Sequence, residues 1–365
     1  MKKKIDKPFF FSIVILAIAG FFIFSSASLG ILARSEAKFT AIASNQFFFG
    51  LCLGFVALFV AMTIPHKFWK KWSLVIFIFS LILTALVFVP GIGWEHGGAK
   101  RWIQIAGFNF QPSEALKIGY VMYLALWLSK HKSRLNHFAY GLIPFGVITG
   151  IAAVLLLLQP DNDTLMITVL AGLSMYFAAG ASKKDLLIIG LVGLVGIGGI
   201  IAMRPYVRER IKTFIHPSAN SLSSGYQIQQ SLIAIGSGGI FGKGFGQSTQ
   251  KFSFLPEPIG DSIFAVASEE FGLLGSVLII LLFVFFAVRG LKIAVGASDD
   301  FGRLLTLGIV ILIIAESFVN IAAMLGIFPL SGTPLLFISH GGTALFITLA
   351  EVGIILSISR HIKRT

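Results

Sequence analysis

The feature that most limits the fold is a set of long, uninterrupted apolar runs, such as "FFFSIVILAIAGFFIFSSASLGIL" (9–32) and "FGLLGSVLIILLFVFFAV" (271–288). A helix of about 20 residues crosses the roughly 30 Å hydrocarbon core of a bilayer. Inside that core every backbone N–H and C=O must be satisfied internally, which leaves only helices or closed barrels. The runs do not alternate apolar with polar residues, as barrel strands would. The chain therefore reads as an all-α polytopic membrane protein. Composition agrees. Hydrophobic residues make up 56% of the 365 and charged residues only 12%, against about 25% charged in soluble domains, and mean hydropathy is +0.89.

About ten spans are expected, near 8–30, 46–64, 72–90, 112–129, 138–158, 163–180, 186–203, 264–288, 302–327 and 341–360. The first is flanked by Lys2, Lys3 and Lys4. It is too long for a signal peptide and lacks a small-residue cleavage site, so it reads as a retained span. With a cytoplasmic N terminus, 18 of the 29 Lys and Arg fall in inside segments, among them Lys70, Lys132, Lys184, Arg289 and Arg364. The short outer loops hold Arg34, Lys38, Lys100 and Arg101. This is the positive-inside bias, from which long loops are exempt. Both termini are thus expected in the cytoplasm, with one large extracytoplasmic loop, about 204–262, between the seventh and eighth spans. The net charge of +13 is accounted for by inside positives facing anionic lipid and calls for no nucleic acid. A single cysteine, Cys52, rules out a disulfide framework. The chain is expected to form one transmembrane domain over 1–365.

Polar residues carry most of the information in such a chain. The unusual ones gather in the outer segments: "GGAKRWIQI" (97–105), "QPSEALK" (111–117), "QPDNDT" (159–164), the 204–262 loop and "PLSGTPLLFISHGG" (329–342). Lys100 and Arg101 follow a Gly-rich turn. Lys117 falls one to two turns into a span. It either snorkels to the headgroups or faces an anion in a polar cavity, and Glu114 at i−3 also offers a local ion pair. Arg204, Arg208, Arg210 and Lys212 have the spacing of an amphipathic surface helix. That helix would rest on acidic headgroups or form a cationic mouth for a phosphate-bearing lipid. The glycines from Gly236 to Gly246 read as loop flexibility or close packing rather than as a phosphate cradle, because no strand–turn–helix context surrounds them.

Of only 16 acidic residues, four lie in "FLPEPIGDSIFAVASEE" (254–270). Glu257 sits between prolines, in a stiff extended loop. Asp261 opens the eighth span. It is either an N-cap or a partly desolvated carboxylate whose pKa is free to rise and which suits general-base work on a sugar hydroxyl; one residue can be both. Glu269 and Glu270 lie two turns deeper and are expected to pair with loop cations. Asp161 and Asp163 would cap a helix, bind a metal or join the same site, and two carboxylates alone are a weak metal signal. These residues describe an outward-facing polar cavity for an amphiphilic anionic substrate. They do not separate an enzyme from a transporter.

"GGAKRWI", "QPSEALK", "QPDNDT", "RERIKTFIHP", "GYQIQQSLIAIGSGGIFGKGFGQSTQKFSFLPE", "GDSIFAVASEEFGLLG" and "PLSGTPLLFISHGG" follow one another over nearly the whole chain. Together they resemble the SEDS family of bacterial cell-shape and division proteins, and its FtsW-type division branch more than its RodA-type elongation branch. The resemblance implies a peptidoglycan glycosyltransferase that polymerises lipid II on the outer face of the cytoplasmic membrane in septal wall synthesis. It also implies pairing with a class B penicillin-binding protein and other divisome membrane proteins. The catalytic Asp of the family's "HTDFIFA" maps to Asp261, and the functional Lys of its "QPSE..K" to Lys117. Substrate and pyrophosphate contacts are then expected from Lys117, Arg101 and Arg210, with Lys100, Gln111, Glu114 and Lys251. Support is expected from Glu257, Glu269, Glu270, Asp161 and His340. An α-linked donor giving a β-1,4 product means inversion, with no covalent enzyme intermediate. A divalent cation such as Mg or Mn would assist the pyrophosphate, though the sequence shows no clear ligand set. The chain departs from the family pattern at several places. Ile259 and Gly260 replace His-Thr, Ser262 replaces Phe, Asn162 and Asp163 replace Phe-Gly, His340 replaces Tyr, and Glu316 replaces Gln. The competing reading is a lipid II flippase, for which Lys117, Glu269, Glu270 and Glu316 would line a translocation path.

Overall fold

The computed structural model describes residues 5–96, 99–105, 108–135, 137–216 and 224–362. Lys2, Lys3, Lys4, Lys363 and Arg364, and Gly97, Gly98 and Pro217 of the motifs above, lie outside the described residues. The first helix, α1 (Lys7–Leu32), is capped by Asp6, whose carboxylate accepts from the Phe9 N–H, with Pro8 in the first turn. Next come α2 (Glu36–Thr63) and α3 (His66–Phe88). Ser35 caps α2. The expected second span began near residue 46, but the helix extends ten residues earlier, through a π-helical stretch at Asn45–Leu53. Extra residues in a helix are absorbed by such stretches, and the polar "EAKFTAIAS" segment hid this first part.

An antiparallel sheet follows in the order β1 (Gly93–His96), β2 (Ala99–Ile105), β3 (Phe108–Phe110). It corrects the all-α expectation for the loop between the third and fourth expected spans. Gly93 pairs with Ile103, and Ile103 in turn with Phe110. Alternation along β2 turns Arg101 and the buried Ile103 to one side and leaves Lys100 exposed.

The rest is helical: α4 (Pro112–Lys130), α5 (Leu142–Leu158), α6 (Asn162–Ala178), α7 (Lys183–Met203), α8 (Pro205–Ile215), α9 (Ser224–Ser237), α10 (Gln250–Ser253), α11 (Ile263–Gly296), α12 (Asp300–Met324) and α13 (Gly342–Ser359). Seven helices among the described residues (α1, α2, α3, α7, α11, α12 and α13) are long and apolar enough to cross a bilayer. The three other expected spans are also helices. α4 carries Glu114, Lys117 and Lys130, and α5 and α6 have 17 residues each. α13 packs along the second half of α2, while α12 lies against α11, α6 and α4. These two helices form the centre: 89% of the apolar window of α13 is buried and 67% of that of α12. α7 is the opposite extreme, with none of its window buried.

One helix is broken. Within α11, Gly272 has φ 66° and ψ −164°, a conformation open essentially to glycine alone. The glycine-rich stretch repairs the break. The N–H groups of Lys243 and Gly244 donate to the carbonyls of Glu269 and Glu270, and those of Leu273 and Leu274 donate to Gly239 and Ile240. The glycines thus serve close packing, and these N–H groups are already taken.

Candidate functional site

Asp261 does not cap α11. The helix begins at Ile263, its N-cap is Ser262, and no side chain bonds the first turn. The turn before it is held by other groups. The Glu257 carbonyl accepts from the N–H groups of Gly260 and Ser262, both at 3.1 Å, and Glu257 itself has φ 45°. The His340 N–H donates to the Ile259 carbonyl at 2.7 Å. Ser339 Oγ donates to the Gly260 carbonyl at 2.9 Å, and Gln227 Nε2 to Ser262 Oγ at 3.0 Å. Asn320 Nδ2, near the C-terminal end of α12, donates to both Asp261 O and Thr333 O at 2.8 Å. Three other segments therefore fix the turn that carries Asp261, with Asn320 bonding the Asp261 backbone itself. Its carboxylate makes no hydrogen bond and no ion pair among the described residues.

That carboxylate keeps some exposure, yet protein encloses it on most sides. Desolvation, reinforced by the neighbouring Glu257 and Asp163 carboxylates and opposed by Arg210, pushes its pKa up to about 7. A base poised near the working pH suits general-base catalysis. Facing it, Arg210 Nη1 pairs with Asp163 Oδ2 at 3.0 Å. Tyr206, one turn earlier on α8, donates to the Pro160 carbonyl at 3.2 Å, and the Asn162 amide donates to the Tyr206 hydroxyl. Burial raises the Tyr206 pKa against the pull of Arg101, Arg210 and Arg204, and the Arg210 guanidinium lies 5.8 Å from the centre of its ring. Arg101 reaches the carbonyls of Gln159 (3.2 Å) and Pro160. The mouth of the site thus joins Asp261, Glu257, Asp163, Arg210, Tyr206 and Arg101. Lys100 is exposed on the far side of β2, and Gln111 is the N-cap position of α4 with no side-chain cap bond.

Lys117 lies deeper, in a second cluster. It is 4% exposed and pairs with Glu114 at 2.9 Å and Glu316 at 2.5 Å. Its charge is already matched, so it is not the open cation expected to meet an anion. Asp161 caps α6 through the Thr164 N–H and accepts from Ser113 Oγ at 3.3 Å, which ties the first turns of α4 and α6 together. Glu351, on α13, belongs to the same group through its interactions with Lys117, Glu114 and Glu316. It was absent from the sequence reading, although a lone acid in "LFITLAEVGIILS" is a signal in its own right. Asn320 and Tyr206 were also missed; Asn320 is an amide inside an expected span and so carried a signal, whereas nothing in the local sequence marks Tyr206.

A third cluster lies under the glycine-rich stretch. Glu269 pairs with Lys243 at 2.6 Å and accepts from Ser248 and Thr249, and Glu270 pairs with Lys251 at 2.6 Å and accepts from Ser26 of α1. Lys251 is 2% exposed and also donates to Ser26 Oγ and the Gly246 carbonyl. It is enclosed rather than open to a ligand. His340 stacks on Phe24 of α1, and burial pushes its pKa down to about 4, so its ring is neutral at physiological pH. Among the described residues no three His, Cys, Asp or Glu converge as metal ligands.

The fold is that of a polytopic helical membrane protein, with a half-buried carboxylate and a cluster of guanidinium groups gathered where the loop segments meet the helix ends. Residues 7–364 match the family described as "Cell cycle protein", which unites FtsW, RodA and SpoVE. The chain belongs to this SEDS family. It is 39% identical over 350 residues, 96% of this chain and 95% of the relative, to a probable peptidoglycan glycosyltransferase FtsW of Geobacter sp. (strain M18). It is 36% identical over 350 residues, 96% and 95% of the two chains, to stage V sporulation protein E of Bacillus subtilis (strain 168). Among solved structures, a chain from a peptidoglycan synthase complex that coordinates polymerization and crosslinking superposes with a TM-score of 0.79 at 25% identity, covering 98% of both chains. The rod shape determining protein RodA of Thermus thermophilus, at 24% identity over 99% of this chain and 98% of its own, shares the fold with a TM-score of 0.72.

Proposed function

We propose that this chain is a peptidoglycan glycosyltransferase that polymerises lipid II at the outer face of the cytoplasmic membrane, in septal wall synthesis, with ten spans and both termini inside. The observation that carries the reading is the Asp261 carboxylate, which has no hydrogen bond or ion pair among the described residues and lies in the field of Arg210 on a turn braced by three other segments. The likeness to FtsW chains over almost the full length supports the same reaction and the septal branch. Likeness to a chain of a peptidoglycan synthase complex supports pairing with a class B penicillin-binding protein.

In this mechanism Asp261 takes the proton from the 4-hydroxyl of the acceptor GlcNAc. That oxygen bonds to C1 of the donor MurNAc as the C1–O bond to undecaprenyl pyrophosphate breaks, with inversion. Charge then develops on the departing phosphate, and preorganised cations are most effective where charge develops. Arg210 leads here, with Arg101 behind it. The pairing of Lys117 with Glu114 and Glu316 suits it to holding α4 against α12. The lipid tails would lie between helices, with the sugars under α8.

The test is polymerisation in detergent from purified lipid II, with and without a cognate transpeptidase. Glycan strands from wild type and none from Asp261→Asn are expected. Strands made by Asp261→Asn at the wild-type rate would remove the base. A wild type that moves lipid II across vesicles without polymerising it would make the chain a flippase, with the buried charges of α4, α12 and α13 as its path.

A further inference from the structure

One carboxylate at the mouth has no part in the mechanism above. Asp163 Oδ2 accepts from Arg210 Nη1 at 3.0 Å and from the Gly332 N–H at 3.2 Å. A Cβ added to Gly332 would lie 3.9 Å from Asp261 Oδ2. The Gly332 residue therefore stands between two carboxylates, and Arg210 is the cation that acts on both. The pair is not sealed in: side-chain exposure is 33% for Arg210 and 19% for Asp163. Asp163 also lies in the first turn of α6, where the helix dipole favours an anion. It can therefore lose Arg210 and remain stabilised by the dipole and the Gly332 N–H. A guanidinium fork accepts a carboxylate or a phosphate with the same geometry.

We infer that Asp163 is a resident stand-in for a phosphate: it holds Arg210 beside Asp261 in the unloaded protein and yields it to the diphosphate of a polyprenyl-linked donor. This rests on the glycosyltransferase reading and adds a regulation of its site. Three observations carry it: the shared guanidinium, the partial exposure of both partners, and the anchoring of Asp163 from a second side. In the family pattern this position is Gly, so the device is a property of this chain. Its effect is to keep the mouth ordered without substrate, at the expense of affinity for the diphosphate.

The experiment measures binding of farnesyl diphosphate to the purified full-length protein in detergent, with farnesyl monophosphate as the comparison and no acceptor present. Asp163→Asn is expected to bind the diphosphate about two- to fivefold more tightly than wild type, the range spanned by partly exposed ion pairs. The gain should vanish in an Arg210→Gln background and shrink as salt is raised. Asp163→Gly should reproduce it, which covers an Asn variant that misfolds, and thermal unfolding reports the fold of each. Unchanged binding in both variants overturns the inference, and so does a gain that persists without Arg210. Weaker binding overturns it too, by making Asp163 a scaffold for Arg210. Failure of the underlying reading is distinct: it would appear as no glycan from wild type, whatever the diphosphate does.

Discussion

At the scale of single residues, Asp261 is set apart by what it lacks. Its backbone is held by Asn320, and among the described residues its carboxylate has no hydrogen bond or ion pair. If it is the base, only its ionised form works, so polymerisation should rise with pH along a limb centred near its pKa of about 7. A rate independent of pH between 5.5 and 8.5, taken as about 1.5 units either side of that value, would remove the assignment. Stability should run the opposite way. Between the unfolded pKa of about 3.9 and the folded value of about 7, the folded state holds the extra proton. Folding is therefore favoured at low pH, and that advantage is lost as pH rises through this window. Asp261→Asn should abolish the dependence and match or exceed wild-type stability at pH 8 by thermal unfolding, while activity falls by about 10²–10⁴-fold. The acid itself was legible from its motif and from its cost at a span boundary. That it does not cap the helix was not, because the helix starts at Ile263 with Ser262 as its N-cap and the Glu257 carbonyl takes the turn's N–H groups. Lys117 was legible as costly and near Glu114. Its second partner, Glu316, lies almost 200 positions away, and local spacing carries no such information.

At the scale of elements, the chain's apolar runs told where helices run, and polar interruptions blurred their ends. The first turns of α2 were lost in a polar stretch. The sheet of β1, β2 and β3 was lost because its strands are short and its alternation of Arg101 and Ile103 lies among glycines. The pairing of Glu269 and Glu270 with loop cations follows from a general rule, that charge at membrane depth needs a counterpart. The structure supplies the partners, Lys243 and Lys251. Because Lys251 and Glu270 are both buried, Lys251→Met should strand a charge and cost about 3–5 kcal/mol, whereas Lys251→Met combined with Glu270→Met should recover much of it. Thermal unfolding in detergent reads both. A double variant no more stable than the single one would mean that the pair does more than neutralise itself.

For the whole molecule, charge asymmetry predicts orientation, and labelling tests it. In a Cys52→Ser background, an impermeant maleimide applied to intact cells should label a cysteine placed at Arg208 and miss one placed at Lys184 until the membrane is opened. Both positions are exposed. The reverse pattern would invert the topology and put Asp261 on the wrong side for an outer-face reaction. The broken helix bears on how this chain can change over generations. A Cβ on Gly242 would fall 2.1 Å from the Glu270 carbonyl, and one on Gly272 would fall 2.3 Å from the Gly242 N. Neither position can mutate alone, and neither can rescue the other, since both also hold positive φ. A one-residue insertion between Gly239 and Gly244 would throw four inter-segment bonds out of register at once. The loop over 204–262 is therefore free to drift in length and composition only outside this seam, and lineages descending from the chain inherit the seam whole or lose the helix.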